Sequence, residues 1–297
     1  MVKKGIEVPA LVILPFEFFV LNPVLPKPYI FQYLCIKRGG TDKTENSYKK
    51  KPAKLNHTNF AFCNIKNRLL TPAVKISLYC QKICYMFTIK SFVFSPIQEN
   101  TYVLSNETKG CLIVDPGCYF DGEKERLQSF IDKSGLKPVK LLNTHCHLDH
   151  VFGNKFIHDT YGLPLHLHEK ERAVLEFAPA SGLMWNMPFD NYQGGFILIK
   201  EGDIIKLGDD ELKVIEAPGH SPGHVCFYCE KQNFVIGGDV LFQRSIGRTD
   251  LPGGNYGTLI KSIREKLFVL PDETVVYCGH GDPTTIGEEK KHNPYLN

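Results

Sequence analysis

The stretch Thr144–His150, which reads THCHLDH, decides the fold. It follows the apolar run 140–143 (KLLN), which is typical of a β-strand that ends where the polar residues begin. On an extended chain His145 and His147 point to one side, whereas Cys146 points to the other. The pattern therefore predicts two imidazoles that converge on one cation at the end of a strand.

Other residues that can bind metal ions also follow predicted strands. Asp149 and His150 come where the chain turns into a helix, and we expect them to face a second cation nearby. His220, Asp239 and His280 each close a β-rich run and follow a glycine. Because glycine lets the backbone approach a crowded centre closely, these strand ends can meet at one site.

The residue types favour metal-assisted hydrolysis. Imidazole and carboxylate ligands suit zinc, iron or manganese rather than a copper thiolate site. A carboxylate such as that of Asp239 can bridge two cations, and a water molecule between them loses a proton near neutral pH. We expect two divalent metal ions, with zinc preferred, and assign catalytic roles to Asp149 and Asp239. The expected metal ligands are His145, His147, Asp149, His150, His220, Asp239 and His280.

Residues 86–297 have the pattern of a mixed domain. Short β-branched or aromatic runs that end at Gly, Pro or Asp, such as Thr88–Phe94, predict strands. An amphipathic stretch capped by Asp121 and stopped by Gly135 predicts a helix, and we expect another helix after Asn255. The pattern is typical of one α+β domain built on two sheets.

Residues 1–85 differ from the rest in charge. They carry 14 Lys and Arg against 4 Asp and Glu, whereas residues 86–297 have a net charge of −7. No sustained periodicity runs through the segment, and the basic run Lys37–Lys54 is typical of a solvated linker. We interpret residues 1–85 as an irregular basic extension, either disordered or a spurious reading-frame extension before a true start at Met86.

Composition disfavours several classes of partner. The apolar stretch Val8–Leu21 is too short and too interrupted by proline to cross a bilayer. The negative charge of residues 86–297 argues against a nuclease, since phosphate backbones are bound by basic surfaces. Ten cysteines without regular spacing are typical of a reducing compartment. We expect a cytoplasmic protein that acts on a small molecule, with no nucleic acid or membrane partner and no signal for its oligomeric state.

Three other motifs are interpreted as structural. Cys226 and Cys229 form a C-x-x-C, but on a strand this spacing places the two thiols on opposite faces. His166 and His168 form an H-x-H that no D-H completes, and we expect a surface pair at a strand end. We expect His224 to pack or form a hydrogen bond near the ligands rather than to bind metal.

Over residues 86–297 the chain resembles the metallo-β-lactamase-fold hydrolases, and within them the type II glyoxalase (hydroxyacylglutathione hydrolase) group. The resemblance implies a four-layer αββα sandwich with its site at one edge of the two sheets. It rests on five motifs: Thr144–His150 (THCHLDH), Ala217–His224 (APGHSPGH), Gly237–Phe242 (GGDVLF), Gly247–Gly254 (GRTDLPGG) and Tyr277–Glu289 (YCGHGDPTTIGEE).

The resemblance also implies roles for individual residues. It implies a reaction in which a hydroxide between the two metals attacks a small-molecule thioester such as S-lactoylglutathione. Arg248 stands where the family places a basic substrate contact, so we expect it to attract a substrate carboxylate. The family pattern assigns three ligands to each metal and one bridge to the pair: His145, His147 and His220; Asp149, His150 and His280; and Asp239.

The chain departs from the family pattern in two respects. Full-length type II glyoxalases add a C-terminal helical domain that holds glutathione, whereas here only 17 residues follow His280. Asp250 replaces an aromatic residue of the pattern. We therefore expect a short glyoxalase-like thioesterase with an open site. Two alternatives stay open: a mononuclear iron persulfide dioxygenase, and a non-catalytic protein that binds metal for its stability.

Overall fold

The computed structural model describes residues 87–297, so the predictions for residues 1–85 lie outside the described part of the chain. Among the described residues, no helix is both long enough and apolar enough to cross a membrane. The strands are β1 (Thr88–Phe94), β2 (Glu99–Ser105), β3 (Gly110–Val114), β4 (Lys137–Leu142), β5 (Leu165–His168), β6 (Phe196–Ile199), β7 (Ile204–Leu207), β8 (Asp210–Glu216), β9 (Val225–Cys229), β10 (Phe234–Gly238), β11 (Leu241–Phe242), β12 (Ser245–Ile246), β13 (Val275–Cys278) and β14 (Thr284–Thr285). The helices are α1 (Asp121–Lys133), α2 (Leu148–Val151), α3 (Asn154–Tyr161), α4 (Glu171–Met184), α5 (Tyr256–Ser262) and α6 (Ile286–His292).

Twelve of these strands form two six-stranded mixed sheets. The first sheet has the order β1-β2-β3-β4-β5-β6; its pairs are antiparallel as far as β3 and parallel from β3 onward. The second has the order β14-β13-β10-β9-β8-β7, and only its β10–β13 pair is parallel. β11 and β12 form a separate two-stranded ribbon.

Three apolar clusters hold four layers together. Between the sheets, Leu104 and Leu112 of the first sheet pack in one cluster with Val214 and Phe227 of the second. The outer face of the first sheet packs against α1, α3 and α4, and the outer face of the second packs against α5 and α6. The resulting order of helix, sheet, sheet and helix confirms the predicted αββα sandwich.

Local signals in the sequence placed several elements correctly. β1 spans the predicted residues, and Asn255 caps α5 with its side chain. α1 ends before Gly135, whose φ of 62° suits glycine. The predicted cap at Asp121 was wrong by one residue, because Phe120 occupies the cap position and its backbone N–H is bound by the Glu123 carboxylate at 3.1 Å.

The cysteines of the described part are structural. β9 separates Cys226 and Cys229 as predicted, since one packs in the outer cluster of the second sheet and the other between the sheets. Burial raises the pKa of the Cys226 thiol, which keeps it protonated and unreactive. The free, buried thiols of residues 87–297 belong to Cys111, Cys118, Cys146, Cys226, Cys229 and Cys278.

Hydrogen bonds between loops join strand ends of both sheets at one edge of the sandwich. The backbone N–H of Val225, at the start of β9, donates to the Thr144 carbonyl after β4 at 2.9 Å. The N–H of Gly279, after β13, donates to the carbonyl of Gly238, at the end of β10, at 2.8 Å. This edge carries the residues that the sequence predicts as metal ligands.

The contact between the sheets should dominate stability. Phe227 is fully buried there, so we expect Phe227→Ala to lower the free energy of unfolding by about 3–5 kcal/mol. Val269 is 70% exposed, and the control Val269→Ala should change it by less than about 0.5 kcal/mol. Urea denaturation followed by circular dichroism measures both; equal effects would contradict the assigned core.

Candidate metal centre

Three imidazoles, contributed by both sheets, form the first group of candidate ligands. His145 and His147 follow β4 of the first sheet, and His220 lies in the loop after β8 of the second. His147 Nδ1 lies 2.8 Å from His220 Nε2, which lies 3.2 Å from His145 Nε2. Three nitrogens within 4.8 Å of one another can share one cation.

A carboxylate and two imidazoles form the second group, whose ligand atoms also lie within 4.8 Å of one another. Asp149 and His150 belong to α2, and His280 follows β13. Asp149 Oδ2 lies 3.1 Å from His280 Nε2 and 3.6 Å from His150 Nε2. Mixed carboxylate and imidazole donors suit zinc, iron or manganese.

Asp239 lies between the two groups. Its Oδ2 is 3.5 Å from His220 Nε2 of the first group and 3.5 Å from His280 Nε2 of the second. Its Oδ1 is 3.5 Å from His150 Nε2. The structure thus brings all seven predicted ligands together, and the buried His and Asp side chains are consistent with a dinuclear metal site. The ligand role of each residue stays a prediction.

Two glycines make this close approach possible. A Cβ atom on Gly279 would lie 2.0 Å from Asp239 Oδ1. Gly238 has a φ of 51°, and a Cβ atom there would lie 2.4 Å from Thr144 Oγ1. A side chain at Gly279 would push its loop away from Asp239, and one at Gly238 would push against Thr144, which precedes His145.

Asp115 orients Thr144 and His150 through hydrogen bonds to both of its carboxylate oxygens. One of its oxygens, Oδ1, accepts hydrogen bonds from Thr144 N at 2.7 Å and from Asn143 Nδ2 at 3.1 Å. The other, Oδ2, accepts from Thr144 Oγ1 at 2.6 Å and lies 3.1 Å from His150 Nδ1. Asp115, His145 and His150 form a third group whose possible ligand atoms lie within 4.8 Å of one another. Because these contacts occupy both oxygens of Asp115, we interpret its role as positioning His150. Asp115 was not predicted from the sequence, although it closes an apolar strand as Asp239 does.

Glu171, the first residue of α4, joins the two loops that carry the first group. Its Oε2 accepts a hydrogen bond from Cys146 N at 2.8 Å. Its Oε1 accepts from Ser221 Oγ and from Gly223 N, both at 2.6 Å. The carboxylate is buried and therefore fixes the separation of the loops. Glu171 was also not predicted, since nothing near it in sequence distinguishes it from a solvated charge.

Backbone carbonyls fix the orientation of two imidazoles. His220 Nδ1 lies 2.7 Å from the Arg248 carbonyl, and His280 Nδ1 lies 3.1 Å from the Gln98 carbonyl. A ring nitrogen that donates to a carbonyl leaves the other nitrogen, Nε2, with its lone pair directed at the centre. This arrangement resembles the support that metal-binding histidines receive in metalloproteins.

Burial keeps the first group uncharged. It lowers the pKa of His145 well below the ordinary histidine value, and the repulsion that a protonated His145 would meet from protonated neighbouring histidines lowers it further. Burial and the same kind of repulsion, here from His220, lower the pKa of His147 to about 3. Burial also lowers the pKa of His220. Near neutral pH these imidazoles are therefore deprotonated, which is the form that binds metal.

An open cavity of about 640 Å³ adjoins the centre. His147, Asp149 and Asp239 line its floor, α4 forms one wall, and the loop after β12 forms another. Arg248 lines this second wall, where its guanidinium donates to the Asp250 carboxylate through Nε at 2.8 Å and Nη2 at 2.7 Å. A molecule in the cavity can touch Arg248, but its role in binding substrate stays a prediction.

Of the predictions for His224 and for the pair His166 and His168, the first is confirmed and the second is wrong. His224 is buried, and its Nε2 accepts a hydrogen bond from the backbone N–H of Asp239 at 3.0 Å, which confirms its supporting role. The surface location expected of His166 and His168 was wrong, because β5 lies between β4 and β6 and both side chains are buried. His168 Nε2 pairs with Glu216 at 3.2 Å.

Comparison with protein families gives one match over most of the described chain. The profile of the metallo-beta-lactamase superfamily matches residues 95–280. The hydroxyacylglutathione hydrolase GloC of Haemophilus influenzae is 39% identical over 202 residues, which are 67% of this chain and 93% of that protein.

Solved structures extend the similarity. The BLEG-1 B3 metallo-beta-lactamase is 40% identical with a TM-score of 0.66, and the match covers 71% of this chain and all of that one. TTHA1623, solved in a di-iron-bound form, is 35% identical with a TM-score of 0.63, covering 70% of this chain and all of that one. The latter shows that a similar chain holds two metal ions.

The contacts of Asp115 predict a change in metal affinity. In Asp115→Asn an amide NH₂ replaces one acceptor oxygen, so either Thr144 or His150 loses its partner. We expect affinity for the more weakly held metal ion to fall about 10- to 100-fold, with the fold unchanged. Chelator competition measures the affinity, and Asp209→Asn on an exposed turn serves as the control. Wild-type affinity in Asp115→Asn would show that Asp115 does not orient the centre.

Proposed function

Since this chain belongs to the metallo-beta-lactamase superfamily, we propose that it is a metal-dependent hydrolase whose substrates are small-molecule thioesters. The observation that carries the proposal is the position of Asp239, which contacts both ligand groups at the floor of an open cavity. The similarity to a hydroxyacylglutathione hydrolase supports the thioester and makes S-lactoylglutathione the first substrate to test.

The residues at the site fit a pair of divalent cations. Among the described residues, His150 Nε2 and Asp239 Oδ1 are buried polar atoms without a hydrogen-bond partner. Burial of unpaired polar atoms is costly, so a cation between them would remove a penalty that the protein otherwise bears. When bound, the metal pair supplies Lewis acidity and lowers the pKa of a water molecule.

Asp149 and Asp239 have different roles at the centre. Asp149 directs Oδ2 toward His150 and His280, which leaves Oδ1 to accept a hydrogen bond from the attacking water. Asp239 is fixed by the hydrogen bond from its backbone N–H to His224 and holds the two groups at a constant separation. Such preorganisation lowers the barrier because little reorientation is needed in the transition state.

Hydrolysis of a thioester balances without any further reactant. The water oxygen forms a bond to the carbonyl carbon, and the bond from that carbon to sulfur breaks. The proton that water releases ends on the thiol or in solution, and the products are a carboxylic acid and a thiol. Because thiolates are good leaving groups, no strong general acid is required near the sulfur.

Turnover tests the proposed reaction directly. Protein loaded with zinc should bind two ions per chain and hydrolyse S-lactoylglutathione or simpler acyl thioesters, with release of thiol followed by a chromogenic disulfide. The panel should include a β-lactam, a lactone and a persulfide. Cleavage of none of the thioesters would refute the proposal. A second sample loaded with iron that binds one ion per chain and consumes oxygen with the persulfide would replace it by a dioxygenase.

Removal of one ligand tests the centre itself. We expect His220→Ala to bind one metal ion fewer and to lose about 100-fold or more in kcat/KM, in keeping with the several kcal/mol that Lewis-acid assistance contributes. His292→Ala is the control, since His292 is exposed on α6. Metal content by mass spectrometry and steady-state kinetics give the two readouts. Two bound metals and full activity in His220→Ala would overturn the ligand assignment.

A further inference from the structure

The wall of the cavity formed by α4 is apolar. Ala173, Phe177 and Ser181 recur every four residues and so share one face of α4, Trp185 directly follows the helix, and all four line the cavity. Phe177 is 49% exposed and Trp185 is 56% exposed, although both are large aromatic residues. A wall of this kind gains free energy when an apolar group covers it.

The opposite wall adds further apolar surface. Ile246, Leu251 and Pro252, from β12 and the loop after it, line the cavity across from α4. Phe242, from β11, lies nearer the centre, with its ring centroid 6.3 Å from that of His280. A substrate whose thioester lies at the metal centre would therefore extend between two apolar walls.

The basic residue on this wall is already paired. Arg248 donates through Nε and Nη2 to the two oxygens of Asp250, so one full edge of its guanidinium is occupied. The hydrogen bond from Arg248 lowers the pKa of Asp250 to about 2, which keeps this carboxylate ionised near neutral pH. An anionic substrate must compete with Asp250 for Arg248 and is repelled by it.

Lys170 is the other cationic side chain among the residues lining the cavity. It is exposed at the start of α4, where water solvates its ammonium group, and a mobile, hydrated lysine holds a carboxylate weakly. The cavity therefore provides extensive apolar surface but no uncompensated, preorganised anion site.

We propose that the preferred substrates are uncharged thioesters with a bulky apolar group, and that Asp250 sets this preference by neutralising Arg248. The proposal rests on the thioesterase function proposed above and narrows its substrate class. In this arrangement Phe177 and Trp185 contact the apolar group of the substrate, while Asp250 repels a carboxylate on the thiol from which the thioester is made. Asp250 is thus a specificity-determining residue that does not touch the reacting atoms.

Three matched thioesters separate the effects of charge and of apolar size. They are the octanoyl thioesters of N-acetylcysteamine, which is uncharged, and of glutathione, which is anionic, together with the acetyl thioester of N-acetylcysteamine. With the zinc-loaded full chain, we expect the octanoyl ester of N-acetylcysteamine to exceed the acetyl ester about tenfold or more in kcat/KM, chiefly through KM. It should also be cleaved more efficiently than the glutathione ester.

Two substitutions test the residues. Asp250→Asn should raise kcat/KM for the glutathione ester about three- to tenfold relative to the N-acetylcysteamine ester of the same acyl group. The control Asp272→Asn removes the same charge from another exposed pair, with Lys290, and should leave the ratio unchanged. Phe177→Ala should reduce the octanoyl advantage, whereas Phe120→Ala, at a phenylalanine 53% exposed outside this cavity, should not.

The outcomes distinguish this inference from the function on which it rests. Loss of all thioester cleavage in a protein with two bound metals refutes both. Efficient cleavage with a preference for the glutathione ester, and a ratio unchanged in Asp250→Asn, refutes the selectivity alone. Calorimetry with the S-octyl thioethers of N-acetylcysteamine and glutathione measures the same preference in binding, without turnover. If the ratio of the two affinities is the same in wild type and in Asp250→Asn, the proposed role of Asp250 is overturned.

Discussion

The nitrogens His145 Nε2 and His220 Nε2 face each other across 3.2 Å, and each belongs to a loop that leaves a different sheet. Two neutral imidazole nitrogens that both direct lone pairs at one point repel each other unless a proton or a cation lies between them. The sandwich must therefore hold this pair together by other means. It does so through the apolar contact between the sheets, which fixes the relative positions of the strands that carry the loops.

Hydrogen bonds to buried carboxylates fix the loops that the apolar packing brings together. Glu171 joins the loop of Cys146 to the loop of Ser221 through three hydrogen bonds. Asp115, which has a φ of 48°, occupies a left-handed backbone position at the end of β3 and turns its oxygens toward Thr144 and His150. Strained backbone at such a point is tolerated because four polar contacts determine it. Orientation of the candidate ligands thus comes from residues that are not among the predicted metal ligands.

The difference between what could and could not be predicted follows from the range of these interactions. His145, His147 and Asp239 could be predicted as candidate ligands because the end of an apolar run is a local signal, visible in a few neighbouring residues. The hydrogen bonds of Glu171 join residues that are 25 to 52 positions apart along the chain, and such contacts produce no periodic pattern in the sequence. The burial of His168 was missed for the same reason, because it depends on β6, which pairs with β5 only in the folded chain.

The same division separates the candidate metal centre from the walls of the cavity beside it. The candidate ligands sit at strand ends and in the short helix α2, where the sheets restrict movement. The cavity walls come from α4, from the two-stranded ribbon of β11 and β12, and from the loop that carries Arg248 and Asp250, none of which belongs to either six-stranded sheet. Because the loop of Arg248 reaches His220 through a backbone carbonyl, we expect a side-chain substitution in a wall to alter which molecule is bound without displacing Asp239 or the histidines around it. An exposed pair such as Arg248 and Asp250 contributes little to stability, so a substitution in this pair can change the substrate preference without unfolding the protein.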